Sequence, residues 1–253
     1  MSKLRNFVSV GRLSVLLVIA ILVIDQLIKI WVKTNMTLHE SIRITDWFYI
    51  TFIENNGMAY GMQLGSKLVL SLFRVAAISL LGYYIWKQVA KHARTGYIVC
   101  LSMIFAGAIG NLVDCMFYGL MFNASTPYYT SYFVDFGTGY APFLMGKVVD
   151  MFYFPLIVTT WPEWVPWWGG QDFIFFSPVF NFADSCISVG VVLLLLFYRE
   201  EISKISLRDE KKDEEGRLEE GSVKAGENVE SYEANSVDND EANSVDNDEA
   251  KNV

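Results

Sequence analysis

The chain has 253 residues and a formal net charge of −8; 53% of its residues are hydrophobic and only 19% are charged. From Arg208 onward the residues are mostly Glu, Asp, Lys, Asn and Ser, so the remaining body is more apolar than a soluble domain normally is. An ordinary soluble enzyme is excluded by that body, and a nucleic-acid partner is not expected of so acidic a chain.

Four apolar stretches are long enough to cross about 30 Å of hydrocarbon, and they predict an all-α membrane protein with four spans. The first covers about residues 13–32, after a short cytoplasmic N-terminus (1–12). It is too long for a cleavable signal peptide and carries Asp25 and Lys29 in its second half, so it reads as a retained span. Those two charges are four apart on one helix face and can neutralise each other. They either form a self-contained pair or line the wall of a site. An outer segment follows, with Asn55-Asn56-Gly57-Met58-Ala59, whose glycine permits a tight turn and whose amides can bind an extended peptide. Short strands are expected from Arg43 to Ile53, as part of a small extracytoplasmic cap.

The second span covers about 68–86 and contains Arg74, placed to snorkel outward or to pair with an aspartate. The third, about 97–121, carries Gly110-Asn111-x-x-Asp114. A segment rich in Tyr, Ser, Thr and Gly (122–146) separates it from Gly146-x-Val148-Val149-Asp150. The run Phe133-Val134-Asp135-Phe136 is a competing, shorter match to the same motif. A Trp- and Pro-rich stretch, 151–178, then suits either a lid or a passive loop. The fourth span, about 180–198, opens on Asn181-x-Ala183-Asp184. The acidic tail (199–253) contains Glu233–Asp240 repeated without change at Glu241–Asp248, and its composition predicts disorder.

Charge placement orients the spans. Lys3, Arg5 and Arg12 precede the first, Lys87, Lys91 and Arg94 join the second to the third, and Arg199 and Lys204 follow the fourth. Lys33, Arg43, Lys67 and Lys147 are spread more thinly over the opposite loops. Both termini are therefore expected in the cytoplasm, with Trp47, Phe48, Tyr49 and the Trp161–Trp168 cluster as outer interfacial anchors. Asp114 then sits about 27 Å up the third span, and Asp150 and Asp184 reach the same outer level. A carboxylate at membrane depth costs several kcal/mol unless paired, hydrated or protonated, so three converging ones imply a polar site. The two histidines, His39 and His92, fall on opposite sides of the membrane, leaving no histidine base and no metal set. Cys100, Cys115 and Cys186 read as packing residues.

Asp25-Gln26-x-x-Lys29, Asn55-x-Gly57-x-Ala59, Gly110-Asn111-x-x-Asp114, Val148-Val149-Asp150 and Asn181-x-Ala183-Asp184 together resemble the ordered motif set of bacterial lipoprotein signal peptidase, signal peptidase II. The resemblance covers roughly 13–198. It implies an intramembrane aspartic endopeptidase of the bacterial inner membrane, its active site near the outer leaflet, needing no cofactor. The implied substrate is a prolipoprotein carrying a diacylglyceryl cysteine, cut just before that residue by a monomer that it reaches through the membrane lipids. Globomycin-like inhibition is implied as well. By motif, Asp150 and Asp184 are the catalytic pair. Asn55, Asn111 and Asn181 match family positions that shape the site and bind the substrate backbone, with Gly57 and Ala183 in the same motifs, and Asp114, Asp25, Lys29 and Arg74 support them. Family members often carry arginine after the third-span aspartate, where this chain has Cys115; Arg74 is expected to supply that charge to Asp114. The rival from another class is a small ion- or proton-coupled transporter using the carboxylates as relays.

Overall fold

Long apolar runs without proline set the helices. The computed structural model describes residues 2–56, 67–155, 157–175, 178–201 and 203, and the elements below all lie in one compact unit, Met1–Phe197. Helix α1 runs Ser2–Asn35 and α2 runs Lys67–Ala90. The third long helical run is α3 (Thr95–Val113), a π-helical turn (Asp114–Tyr118) and the short α4 (Gly119–Met121). Helix α5 spans Phe182–Phe197. Among the described residues, three helices are long and apolar enough to cross a membrane. With 16 residues, α5 is about 24 Å long, shorter than the expected 180–198 because the chain before Asn181 is extended. Leu80 and Leu196 are 69% and 67% exposed, an arrangement suited to lipid rather than water.

Helices α3 and α5 approach closely because small residues face each other. A Cβ on Gly107 would meet the Ala183 carbonyl oxygen at 2.4 Å. Such contacts let membrane helices pack without a solvent-driven hydrophobic effect. Hydroxyl pairs add directional links: Ser14 to Ser102 between α1 and α3 (2.6 Å), and Tyr84 to Tyr97 between α2 and α3 (2.7 Å).

Strands β1 (Ser41–Arg43), β2 (Tyr49–Asn55), β3 (Val148–Tyr153) and β6 (Val179–Phe180) form one antiparallel sheet in the order β1-β2-β3-β6. The Val-Val-Asp motif is thus part of a central strand. Side chains alternate between faces of a strand. Phe52, Val149 and Met151 turn toward Val32 and Met36 of α1 and join Tyr118 and Phe122 in a buried apolar core. The opposite face carries Asn55 and Asp150. Phe154 stacks on Phe48 (4.8 Å between centroids), Trp47 (6.0 Å) and Phe180 (5.6 Å), so Trp47 and Phe48 pack on the sheet.

The 122–146 segment is an ordered lobe folded back on the third helical run. Tyr140 and Ala141 N–H groups donate to Phe122 and Gly119 carbonyls (both 3.0 Å), and Gly146 N–H donates to Cys115 (2.8 Å). The Trp-rich stretch forms a separate hairpin of β4 (Ile157–Thr160) and β5 (Asp172–Phe175), with Trp164 and Trp167 exposed at its tip.

Candidate active site

The site is assembled around the first turn of α5. Asn181 is its N-cap: the Asn181 Oδ1 accepts the Asp184 N–H (2.9 Å), and Asp184 Oδ2 accepts the Asn181 N–H (3.4 Å). This reciprocal pair is a capping box, and it explains the three-residue spacing on local grounds alone. What exceeds local need is the other end of the Asn181 amide. Its Nδ2 donates to Asp150 Oδ1 (2.7 Å) and to Asn111 Oδ1 (3.0 Å). Asn111 Nδ2 in turn donates to Asp184 Oδ1 (2.7 Å). From β2, Asn55 Nδ2 donates to the remaining Asp150 oxygen (3.2 Å). Three amides from three separate elements therefore orient two carboxylates.

Beneath this layer lies an ionic layer within the helices. Lys29 Nζ bridges Asp25 and Asp114, at 2.9 Å from each, and donates to Asn111 Oδ1 (2.8 Å). All three charged side chains are fully buried. Gln26 Nε2 donates to Asp114 Oδ1 (2.9 Å) and Tyr118 OH donates to Gln26 Oε1 (3.0 Å). Asp114 Oδ2 accepts the Val149 N–H (3.3 Å), which ties the helix to the residue preceding Asp150. Asp25 Oδ1 accepts the Ala183 N–H (3.0 Å), which ties α1 to the first turn of α5. Gly110 makes the junction possible, since a Cβ there would stand 2.7 Å from Asp25 Oδ2 and 3.3 Å from the Ala183 Cβ. Buried charges of this kind persist only when each lone pair and proton is matched. Among the described residues, no buried side-chain nitrogen or oxygen lacks a partner.

The Asp150 carboxyl, 3% exposed, is pushed up to about 7. Loss of water on burial is the main cause and the negative charge of Asp184 adds to it; Asn55, Asn181 and Lys29 act in the other direction. Asp184 is half-buried. The two carboxyl groups thus differ in environment, Asp150 being the more buried and the more reluctant to lose its proton.

Most of the expected residues meet here. Asp25, Lys29, Asn55, Asn111, Asp114, Asp150, Asn181, Ala183 and Asp184 all belong to one connected network. Asp25 and Lys29 pair with each other and also contact Asn111 and Ala183 of the other motifs. Gly57, with Ala59, lies outside the described residues. The competitor Asp135 is exposed, in a turn closed by the Thr138 N–H to its carbonyl (2.9 Å). The expectation for Arg74 needs correction. Lys29 supplies the positive charge at Asp114, while Arg74 Nη1 donates to the neighbouring Cys115 Sγ (3.3 Å). Lys33, counted above as an outer-loop charge, is instead fully buried in the last turn of α1 and paired with Glu54. Sequence reasoning also passed over Gln26, although it stands inside the first motif. The signal for Lys33 was its spacing: Asp25, Lys29 and Lys33 repeat every four residues along one helix stripe.

Residues 17–199 match the sequence model for signal peptidase (SPase) II. A lipoprotein signal peptidase of Porphyromonas gingivalis is 50% identical over 194 residues, covering 76% of this chain and 85% of that protein. One from Amoebophilus asiaticus is 35% identical over 190 residues, covering 72% and 75%. A solved bacterial membrane enzyme, determined by the in meso method, shares the fold with a TM-score of 0.51 at 23% identity, covering 76% of this chain and 90% of its own. The apolar helices and the curated relatives support an integral membrane protein. The chain belongs to the signal peptidase II family of peptidases.

Proposed function

We propose that this peptidase is of the aspartic type, with Asp150 and Asp184 as its catalytic pair, and that it removes the signal peptide of a prolipoprotein just before a diacylglyceryl-modified cysteine. The relatives' name, lipoprotein signal peptidase, supports the substrate class. The observation that carries the catalytic assignment is the shared amide shell: Asn181 reaches Asp150 at 2.7 Å while Asn111 reaches Asp184 at 2.7 Å.

In this reading the pair shares one proton, held by Asp150. A water between the carboxylates attacks the scissile carbonyl carbon and gives a proton to Asp184, while Asp150 donates its proton to the carbonyl oxygen. The tetrahedral intermediate then collapses: the C–N bond breaks, the carbonyl reforms as Asp150 recovers its proton, and Asp184 passes its own to the departing nitrogen. Lys29 sits one layer below and holds Asn111 without touching the reacting atoms. Asn55, which reaches Asp150, would also meet an extended substrate backbone.

The topology follows from the same reading. Both termini lie in the cytoplasm of a bacterial inner membrane, and the site faces the outer leaflet, where a lipidated substrate enters laterally from the bilayer. One chain carries the whole site, so a monomer suffices. The test is cleavage of a diacylglyceryl-modified prolipoprotein by purified protein in detergent. Asp150→Asn and Asp184→Asn should each abolish it with the fold retained; activity in either variant would overturn the assignment.

A further inference from the structure

The mechanism above makes no use of the second buried ionic cluster, at the outer end of α1. Lys33 Nζ, fully buried, contacts Glu54 Oε1 (2.6 Å) and Ser125 Oγ (2.9 Å). Three rings surround the ammonium, with centroids at 5.9 Å (Phe52), 5.3 Å (Phe122) and 5.1 Å (Tyr140). Lys147 Nζ holds the other carboxylate oxygen of Glu54 (3.0 Å), and Ser125 Oγ also donates to Glu54 Oε1 (2.6 Å). Glu54 thus joins four parts of the chain: α1, the end of β2, the 122–146 lobe and the residues entering β3. Although burial opposes its charge, Lys33, Ser125 and Lys147 together hold its carboxyl below the usual range.

A well-packed apolar group of the same size would be as stabilising as a buried ion pair, which instead adds direction. The register says what is being directed. Glu54 lies opposite Val149, and Asn55 lies opposite Val148. Glu54 and Asn55 point to opposite faces of the sheet. The face of Glu54 meets α1 and the lobe; the face of Asn55 meets Asp150. We infer that Glu54, clamped by Lys33, Lys147 and Ser125, is a positioning residue that sets the end of β2 so that Asn55 is held against Asp150. This rests on the peptidase reading and extends it: the outer lobe becomes part of the active-site scaffold, coupled to it through Glu54.

The groups facing Asp150 are Asn55 from β2, Asn181 and Asp184 from α5, and the charge of Lys29 from α1, which lies with Asp25 and Asp114 in the layer below. Of these, Asn55 is the one that follows Glu54 directly in the chain. Because its amide stabilises the charged form of Asp150, slackening it leaves the proton on Asp150 to higher pH, and the basic limb of the activity profile moves up.

The experiment measures kcat and KM for a lipidated prolipoprotein across the pH range in wild type, Glu54→Gln, Asn55→Ala and the double variant. Expected is a kcat about tenfold lower in Glu54→Gln with KM changed less than about threefold, a basic limb displaced in the same direction as in Asn55→Ala, and a double variant no worse than Asn55→Ala alone. Lys33→Met/Glu54→Gln, which strands no buried charge, replaces Glu54→Gln should that variant fail to fold, and the same three results are expected of it. An unshifted basic limb, or losses that multiply in the double variant, would overturn the clamp while leaving the peptidase reading intact. A wild type that cuts no such substrate would instead overturn the reading on which the clamp depends.

Discussion

Asp150→Asn should make the protein more stable at neutral and alkaline pH even as it removes activity. In the unfolded chain an aspartate titrates near 3.8, whereas in the fold burial and Asp184 push Asp150 up to about 7. The folded state therefore binds the Asp150 proton more tightly than the unfolded state does. Stability from this group is complete below about pH 4, falls as the pH rises towards 7, and is flat beyond, because both states have then lost the proton. A difference of about three pKa units at ~1.4 kcal/mol each corresponds to ~4 kcal/mol of strain carried by wild type above pH 7. Asparagine is nearly isosteric and uncharged, so it removes that strain. It also turns one acceptor into a donor facing Asn55 or Asn181, which returns about 1 kcal/mol. The net expectation is a variant ~2–3 kcal/mol more stable than wild type at alkaline pH, with the order reversed by about 1 kcal/mol at pH 4. Unfolding midpoints in one detergent across this pH range measure it. A difference that does not change with pH, or a wild type that is the more stable at pH 8, would refute the reasoning that burial makes Asp150 hold its proton.

Lys29→Met strands Asp25 and Asp114 in the helix layer and should lower stability by roughly 3–5 kcal/mol, read as a loss of folded protein on extraction and a reduced unfolding midpoint. Gly110→Ala drives a methyl to within 2.7 Å of Asp25 Oδ2; about 1–3 kcal/mol of destabilisation and a drop in cleavage are expected from the same purified sample. Asn181→Ala deletes the α5 cap together with the contact to Asp150, for roughly 2–3 kcal/mol in total, and its cleavage rate should fall much further than its unfolding midpoint alone accounts for.

The helices were legible because apolar length is a strong signal, and the candidate site because carboxylates and asparagines are unusual in and beside such apolar runs. Asp25 and Lys29 announced their pairing by spacing, yet Lys29 proved to serve Asp114 as well, a contact between helices that no local pattern encodes. The positive charge at Asp114 comes from Lys29, while Arg74 reaches the neighbouring Cys115. The strand character of Val148–Tyr153 was hidden because its pairing partners, Tyr49–Asn55 and Val179–Phe180, are far away in sequence. The lobe at 122–146 looked like a plain insertion. Its function as a structural element depends on Ser125 and Tyr140 meeting Lys33 and Glu54, four residues from distant parts of the chain. Asn181 was read as a substrate-shaping residue; its additional part as a helix cap follows from Asn-x-x-Asp before an apolar run and was open to inspection.

The central claim is that Asp150 and Asp184 perform the hydrolysis, and the most direct measurement compares cleavage of a diacylglyceryl-modified prolipoprotein by wild type, Asp150→Asn, Asp184→Asn and Asp135→Asn. The account predicts product from wild type and Asp135→Asn and none from the other two, all four proteins being folded. Cleavage surviving in Asp150→Asn but lost in Asp135→Asn would move the catalytic pair to the exposed lobe and contradict the site described here.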